Sequence, residues 1–101
     1  MYYNVLDPKK LVHLDNETFD KKVLLENGEG CLKIIALKKN EIIDTHTSTN
    51  DAAVYVLDGK IEMHFDAEKF EVKEGEIIMF KKDSQHKVLA LKDSKFMLIK
   101  I

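Results

Sequence analysis

Short apolar runs, separated by polar turn segments, occupy the chain from about residue 32 to its end. They span residues 32–37, 52–57, 61–65, 70–72, 77–80, 88–91 and 96–101. Runs of this length and spacing are typical of strands in all-β sandwiches and barrels. No segment repeats apolar residues with helical periodicity, so we expect little helix. Only residues 11–25 fit either strands or a short helical turn.

The dipeptide Asp58-Gly59 stands between two of these runs. Both residues tolerate a positive φ, which two-residue turns between paired strands require. We therefore expect the flanking strands to form a β-hairpin.

The runs differ in how many of their faces are apolar. In residues 60–65 apolar and polar side chains alternate, which predicts one face in water. Residues 54–57, 77–80 and 96–99 are apolar on both faces, so they should be covered from both sides. One cover is the protein's own core, and we expect the other to be a second subunit in a homodimer. The alternative is that amino-terminal residues fold over the outer face; residues 1–23 are also a candidate segment for packing on a dimer partner.

The composition is that of an ordinary soluble globular protein. The chain has 101 residues, of which 45% are apolar and 34% charged. This length suits one domain, which we assign to residues 1–101. The amino-terminal residues resemble no signal peptide, and no apolar stretch approaches the ~20 residues of a membrane helix. We therefore expect a cytoplasmic protein that does not bind membranes.

The charged residues and the single cysteine exclude several kinds of site. A net charge of −2 gives no electrostatic basis for binding nucleic acid. All 16 basic residues are lysines, so no guanidinium is available to grip a phosphate or carboxylate with two hydrogen bonds. Cys31 is the only cysteine, which excludes an internal disulfide and a thiolate metal cluster. We interpret Cys31 as a buried, unreactive thiol.

Two histidines stand in segments with a recognisable pattern. His46 lies in the stretch IIDTHTSTNDAAVYVLDG, where a polar segment leads into an apolar strand that ends at Gly59. His86 follows Gly75 and the strand FEVKEGEIIMF, in the triplet SQH. With these segments, the chain resembles a small single-domain cupin of the type-2 conserved-barrel family from about residue 24 to residue 101.

The resemblance implies an all-β double-stranded β-helix, or jelly-roll barrel, of two antiparallel sheets around a central pocket, usually dimeric. Asn40 and Asp83 stand where the family has turn glycines, and Lys81 stands in a turn where proline is usual. In metal-binding cupins, three histidines and one glutamate hold a divalent transition metal. His46 and His86 match the first and third histidines.

Ser48 and Ala52 replace the second histidine and the glutamate of that metal site. Two imidazoles are fewer protein ligands than zinc or non-haem iron sites normally have. Asp44 is a candidate third ligand because it has the strand parity of His46, unless a bulge breaks that parity. Asp51 has the opposite parity to Ala52 and should point away. We therefore expect a depleted metal site that keeps two of the family's four ligands. A divalent transition metal is a possible cofactor, but the sequence does not predict one.

Without a metal, the two histidines would face each other across a small-ligand pocket. The predicted pocket consists of His46, Ser48, Ala52, Val54, Val56, Met79, Gln85 and His86, with Thr45 or Thr47, Phe80 and Val88 as further candidates. His13 and His64 are expected to be solvated.

Three functions stay open at this point. The chain could bind a small polar molecule such as a sugar or organic acid, and we expect this function. It could instead be a metal-dependent isomerase, lyase or dioxygenase with incomplete ligation, or a structural or regulatory partner whose dimer surface matters more than its pocket. The sequence contains no nucleophile motif that would favour an enzyme.

Overall fold

Nine strands form two sheets in the part of the chain that the structure describes. A computed structural model describes residues 3–15 and 19–101, apart from the side chain of Thr45. A short 3-10 turn at Pro8–Lys10 precedes the strands. The strands are β1 (Asp20–Asn27), β2 (Gly30–Leu37), β3 (Ile42–Thr47), β4 (Ala52–Asp58), β5 (Lys60–His64), β6 (Lys69–Lys73), β7 (Ile77–Phe80), β8 (Gln85–Ala90) and β9 (Ser94–Lys100).

The two sheets confirm the predicted all-β jelly-roll barrel. A five-stranded sheet has the order β1-β2-β9-β4-β7, and a four-stranded sheet has the order β3-β8-β5-β6. Every pairing between these strands is antiparallel. Each of the seven predicted apolar runs lies in a strand or extends at most one residue beyond it, whereas β1 and the polar strand β3 were not among the runs.

The main core lies between the two sheets. Phe96 from the five-stranded sheet and Ile61 and Met63 from the other are at most 1% exposed. These residues belong to one continuous apolar cluster with Ile35, Leu37, Val54, Val56, Val72, Val88 and Ala90. Five members of the cluster, Ile35, Val54, Met63, Val88 and Phe96, also line a cavity between the sheets.

A second apolar cluster covers part of the outer face of the five-stranded sheet. Val12, from the segment before β1, is fully buried with Ile34 and Ala36 of β2. The chain's own amino-terminal segment therefore supplies some of the cover that the strand pattern required. On the same outer face, Ile77 and Met79 of β7 remain 52% and 75% exposed. The homodimer stays a prediction, now restricted to this uncovered part.

The hairpin predicted at Asp58-Gly59 is wrong. This turn joins β4 to β5, and these strands belong to different sheets. The turn is a corner of the barrel, fixed by Ser94, whose hydroxyl accepts a hydrogen bond from the Lys60 backbone N–H at 3.0 Å. Gly59 has φ +85°, and a Cβ at this position would lie 2.3 Å from the Asp93 carbonyl oxygen. The dipeptide was correctly identified as a tight turn, but local sequence does not determine which strands pair.

Two polar residues occupy turn positions that otherwise favour glycine. Asn40 has φ +74° and Asp83 has φ +70°. Asn and Asp are the non-glycine residues that most readily adopt this left-handed conformation. The conformation explains why these two residue types stand where the family pattern has glycine.

Candidate functional site

His46 and His86 form a cross-strand pair on β3 and β8. They are partners in the antiparallel register, and their ring centroids are 4.1 Å apart in an edge-to-face arrangement. The register shifts between Ile43 and His46, so β3 contains a bulge there. Since the bulge adds one residue, Ile43 and His46 can both face the cavity although their positions differ in parity.

Backbone carbonyls orient both imidazole rings in the same way. Nδ1 of His46 lies 2.9 Å from the Asp44 carbonyl oxygen, and Nδ1 of His86 lies 3.1 Å from the Ser84 carbonyl oxygen. A carbonyl can only accept, so each Nδ1 carries the proton in the neutral ring. Each Nε2 then has a lone pair for a ligand.

His86 is the more enclosed of the two histidines. It is 5% exposed, and its ring centroid lies 4.6 Å from that of Phe80. Burial lowers the pKa of His86 below 6.5, and the nearby His46 and Lys100 lower it further against the opposing effect of the Ser84 carbonyl. His86 is consequently neutral at pH 7 and presents an acceptor at Nε2.

A cavity of about 200 Å³ opens beside the two histidines. Eight apolar residues and two imidazoles account for most of its wall: Ile35, Ile43, Val54, Met63, Phe80, Val88, Phe96, Leu98, His46 and His86. Phe19 and the side chains of Lys21, Lys33 and Lys100 complete the lining. The site is therefore an apolar chamber with polar groups on two sides, as is usual for small-ligand pockets.

Three of the eight predicted pocket residues line this cavity, namely His46, Val54 and His86. Val56 does face inwards, but it is fully buried in the core cluster and does not line the cavity. Ala52 is 7% exposed and lines a neighbouring groove. Of the further candidates, Phe80 and Val88 line the cavity.

The other three predicted residues have different surroundings. Ser48 is buried in the loop after β3, where its hydroxyl donates to the Asn50 carbonyl. Met79 lies on the outer face of β7, since Phe80 next to it points inwards. Gln85 is exposed at the start of β8, beside Thr47. Thr47 is also exposed, and the side chain of Thr45 lies outside the described residues.

The histidines outside the cavity and the cysteine have unremarkable environments. His13 is exposed, as expected. His64 is half-buried and contacts the Glu62 carboxylate at 2.6 Å, so it is less solvated than predicted. Cys31 is also only half-buried.

The residues of the cavity do not fit a tightly bound transition metal. Among residues 3–15 and 19–101, no group of three or more His, Cys, Asp or Glu side chains is placed to hold a metal ion. Asp44 is exposed and does not line the cavity. Asp51 points away and accepts a hydrogen bond from the Lys82 backbone N–H at 2.9 Å. Two imidazoles beside three lysines form a donor set that binds a divalent cation poorly.

The three lysines are the site residues that the sequence reasoning missed. Lys33 lies two and four residues before Ile35 and Leu37 in β2, and Lys100 lies two and four residues after Leu98 and Phe96 in β9. Both therefore share a parity with core residues, which was the available signal. The sequence analysis gave these lysines no role, because lysine is rarely found inside a protein.

Comparison with known proteins identifies the family. A cupin-domain family profile matches residues 33–101, more than half of the chain. The chain belongs to the cupin family. This cupin has no match among curated proteins.

Solved structures agree with this assignment along nearly the whole chain. A conserved Streptococcus pyogenes protein of unknown function is 25% identical with a TM-score of 0.91, covering 100% of this chain and 89% of that one. A cupin 2 conserved-barrel protein from Leptotrichia buccalis is 28% identical with a TM-score of 0.86, covering 92% of this chain and 45% of that one. KdgF from Halomonas is 16% identical with a TM-score of 0.76, covering 94% and 91%, which shows a common fold. No helix within the described residues is long and apolar enough to cross a membrane.

Proposed function

We propose that this cupin binds a small polar molecule, such as a sugar or an organic acid, in the cavity beside His46 and His86. The pairing of the two histidines carries the proposal. Both rings are held through Nδ1 by backbone carbonyls, and both line the same largely apolar chamber. The Nε2 atoms of the two imidazoles can therefore accept hydrogen bonds from a ligand hydroxyl group. The apolar wall holds the rest of the molecule, and the lysines of the lining can hold a carboxylate if the ligand has one.

A ligand screen by thermal shift, over sugars and small carboxylates, tests this proposal. A ligand that binds the native state raises the melting temperature in proportion to its concentration over Kd. We expect the stabilisation to disappear in the double variant His46→Ala/His86→Ala. The matched control is His13→Ala/His64→Ala, because these histidines lie outside the cavity. Stabilisation that persists when the cavity histidines are removed would contradict the proposal.

A metal-dependent enzyme of the isomerase, lyase or dioxygenase type is the second candidate. It is favoured by the Nδ1–carbonyl contacts, because metal-binding histidines usually donate their second N–H in this way. The missing third ligand and the three lysines favour the binding protein. Elemental analysis of untagged protein decides between them, since near-stoichiometric metal after dialysis would support the enzyme.

We also propose that the cupin is a cytoplasmic homodimer. The uncovered part of the outer face contains Ile77, Met79 and Ile101, which are 52%, 75% and 81% exposed. Together with Ala53 and Ile99, Met79 and Ile101 border an apolar groove of about 390 Å³. A second copy of the chain would remove these side chains from water, which favours association.

A further inference from the structure

We propose that the cavity selects small aliphatic carboxylates, and that Lys21, Lys33 and Lys100 are the residues that determine this selection. The inference rests on the proposed binding function and assigns the charge of its ligand. It starts from the inward face of three neighbouring strands, β1, β2 and β9.

The strand register places the three lysines along one diagonal of that face. Lys21 is opposite Ile35, which lies two residues from Lys33 on β2. Lys33 is opposite Leu98, which lies two residues from Lys100 on β9. Diagonal neighbours of this kind are about 7–8 Å apart, within the reach of long side chains. The three ammonium groups can therefore converge on one ligand.

The two ion pairs observed in the described residues do not involve these lysines. They are Lys60–Glu71 and His64–Glu62. Glu26 lies across Cys31 from Lys100 in the register, but it does not line the cavity. Among the described lining residues there is no aspartate or glutamate. The described lining therefore contributes three ammonium groups and no carboxylate, an arrangement that attracts an anion and repels a metal ion.

The remainder of the wall determines what kind of anion fits. Side chains such as Val54, Phe80 and Phe96 provide an apolar surface that a hydrated inorganic ion would not use. The volume of about 200 Å³ corresponds to roughly seven water molecules, at about 30 Å³ each. A carboxylate with a short alkyl chain matches both the size and the polarity. Its head would accept hydrogen bonds from the ammonium groups, and its chain would lie against the apolar wall.

The lysines should favour anion binding but lower the stability of the folded protein. Lys33 and Lys100 are half-buried on a face that otherwise belongs to the core. Holding an ammonium there without a counter-charge is unfavourable for the folded protein. Replacing it by methionine, which has a similar shape, should stabilise the fold while weakening the binding of an anion. A lysine with a purely structural role would give the opposite change in stability.

Calorimetric titration with pentanoate, 1-pentanol and pentylamine tests the inference. We expect pentanoate to bind the native protein at least about tenfold more tightly than the alcohol, because charge-assisted hydrogen bonds are the stronger ones. Lys33→Met and Lys100→Met should each weaken pentanoate binding about tenfold and raise the urea midpoint. The matched control Lys69→Met removes the same charge from an exposed position on β6, outside the cavity, and should leave binding unchanged.

Three other outcomes would overturn the inference, and each identifies which part of it fails. If 1-pentanol or pentylamine binds as tightly as pentanoate and the double histidine variant abolishes that binding, the pocket is real but it does not select anions. If pentanoate binding is the same in Lys69→Met and in the two cavity variants, the lysines are not the determinants. If none of the three compounds binds and the wider ligand screen also gives no stabilisation, the proposed binding function fails as well.

Discussion

Gly59 offers a quantitative test of the barrel corner between the two sheets. A Cβ at this position would lie 2.3 Å from the Asp93 carbonyl oxygen and 2.5 Å from the Ser94 hydroxyl. The residue also has φ +85°, which costs an L-amino acid about 1–2 kcal/mol. Forcing a methyl group against fixed backbone adds about 1–3 kcal/mol. Gly59→Ala should therefore destabilise the protein by about 2–5 kcal/mol.

Gly75 is the matched control, because it separates the two contributions. Its φ is +84°, but a Cβ there would meet nothing within 4 Å. Gly75→Ala should consequently lower the free energy of unfolding only by the cost of a positive φ for alanine, about 1–2 kcal/mol. Urea denaturation measures both variants, and the urea midpoint of Gly59→Ala should be lower than that of Gly75→Ala by about 1 M. Equal midpoints would refute the close packing of the corner against Asp93 and Ser94.

Three further predictions concern single side chains. The pKa of His86 in the folded protein lies below its unfolded value of 6.5. Between the folded and the unfolded pKa the unfolded chain binds more protons than the folded protein. In that pH range the free energy of unfolding therefore rises with pH, by at most about 1.4 kcal/mol per pH unit. Urea midpoints measured from pH 5 to 7.5 should rise more in the native protein than in His86→Gln, and parallel curves would contradict this. Ser94→Ala should lower the free energy of unfolding in urea denaturation by about 1–3 kcal/mol, because it leaves the partly buried Lys60 N–H without its acceptor; an unchanged urea midpoint would show that this bond is dispensable. Met79→Glu should convert the proposed dimer to a monomer in gel filtration with light scattering, and a dimer that survives would exclude this part of the outer face.

The sequence pattern was sufficient for most of the strands but not for their pairing. Apolar runs identify a strand because alternation and length are local properties. β3 was not identified because its residues are mainly polar and a bulge interrupts its alternation between Ile43 and His46. The corner at Asp58-Gly59 was read as a hairpin because the same dipeptide serves both turns.

The site was predicted least well where both faces of a strand are apolar. All four residues of β7 are apolar, so their sequence does not show which side chains point into the barrel. Met79 was therefore predicted to line the pocket, whereas the neighbouring Phe80 lines the cavity. Val56 does face inwards, but local sequence does not show which inward residues are packed in the core and which line the cavity. Lys33 and Lys100 have the strand parity of core residues, but the sequence analysis did not consider them as site residues. The histidines were found because the family pattern records a spatial arrangement that their spacing alone does not.

The central claim is that the cavity beside His46 and His86 is the binding site of a small organic acid. Titration of isotope-labelled protein with pentanoate, followed by methyl and histidine-ring NMR spectra, tests it most directly. We predict shifts in the Ile35 and Val54 methyl groups and at Nε2 of His86, which line the cavity. Shifts confined to Met79 and Ile101 on the outer face, or no shifts at all, would contradict the account.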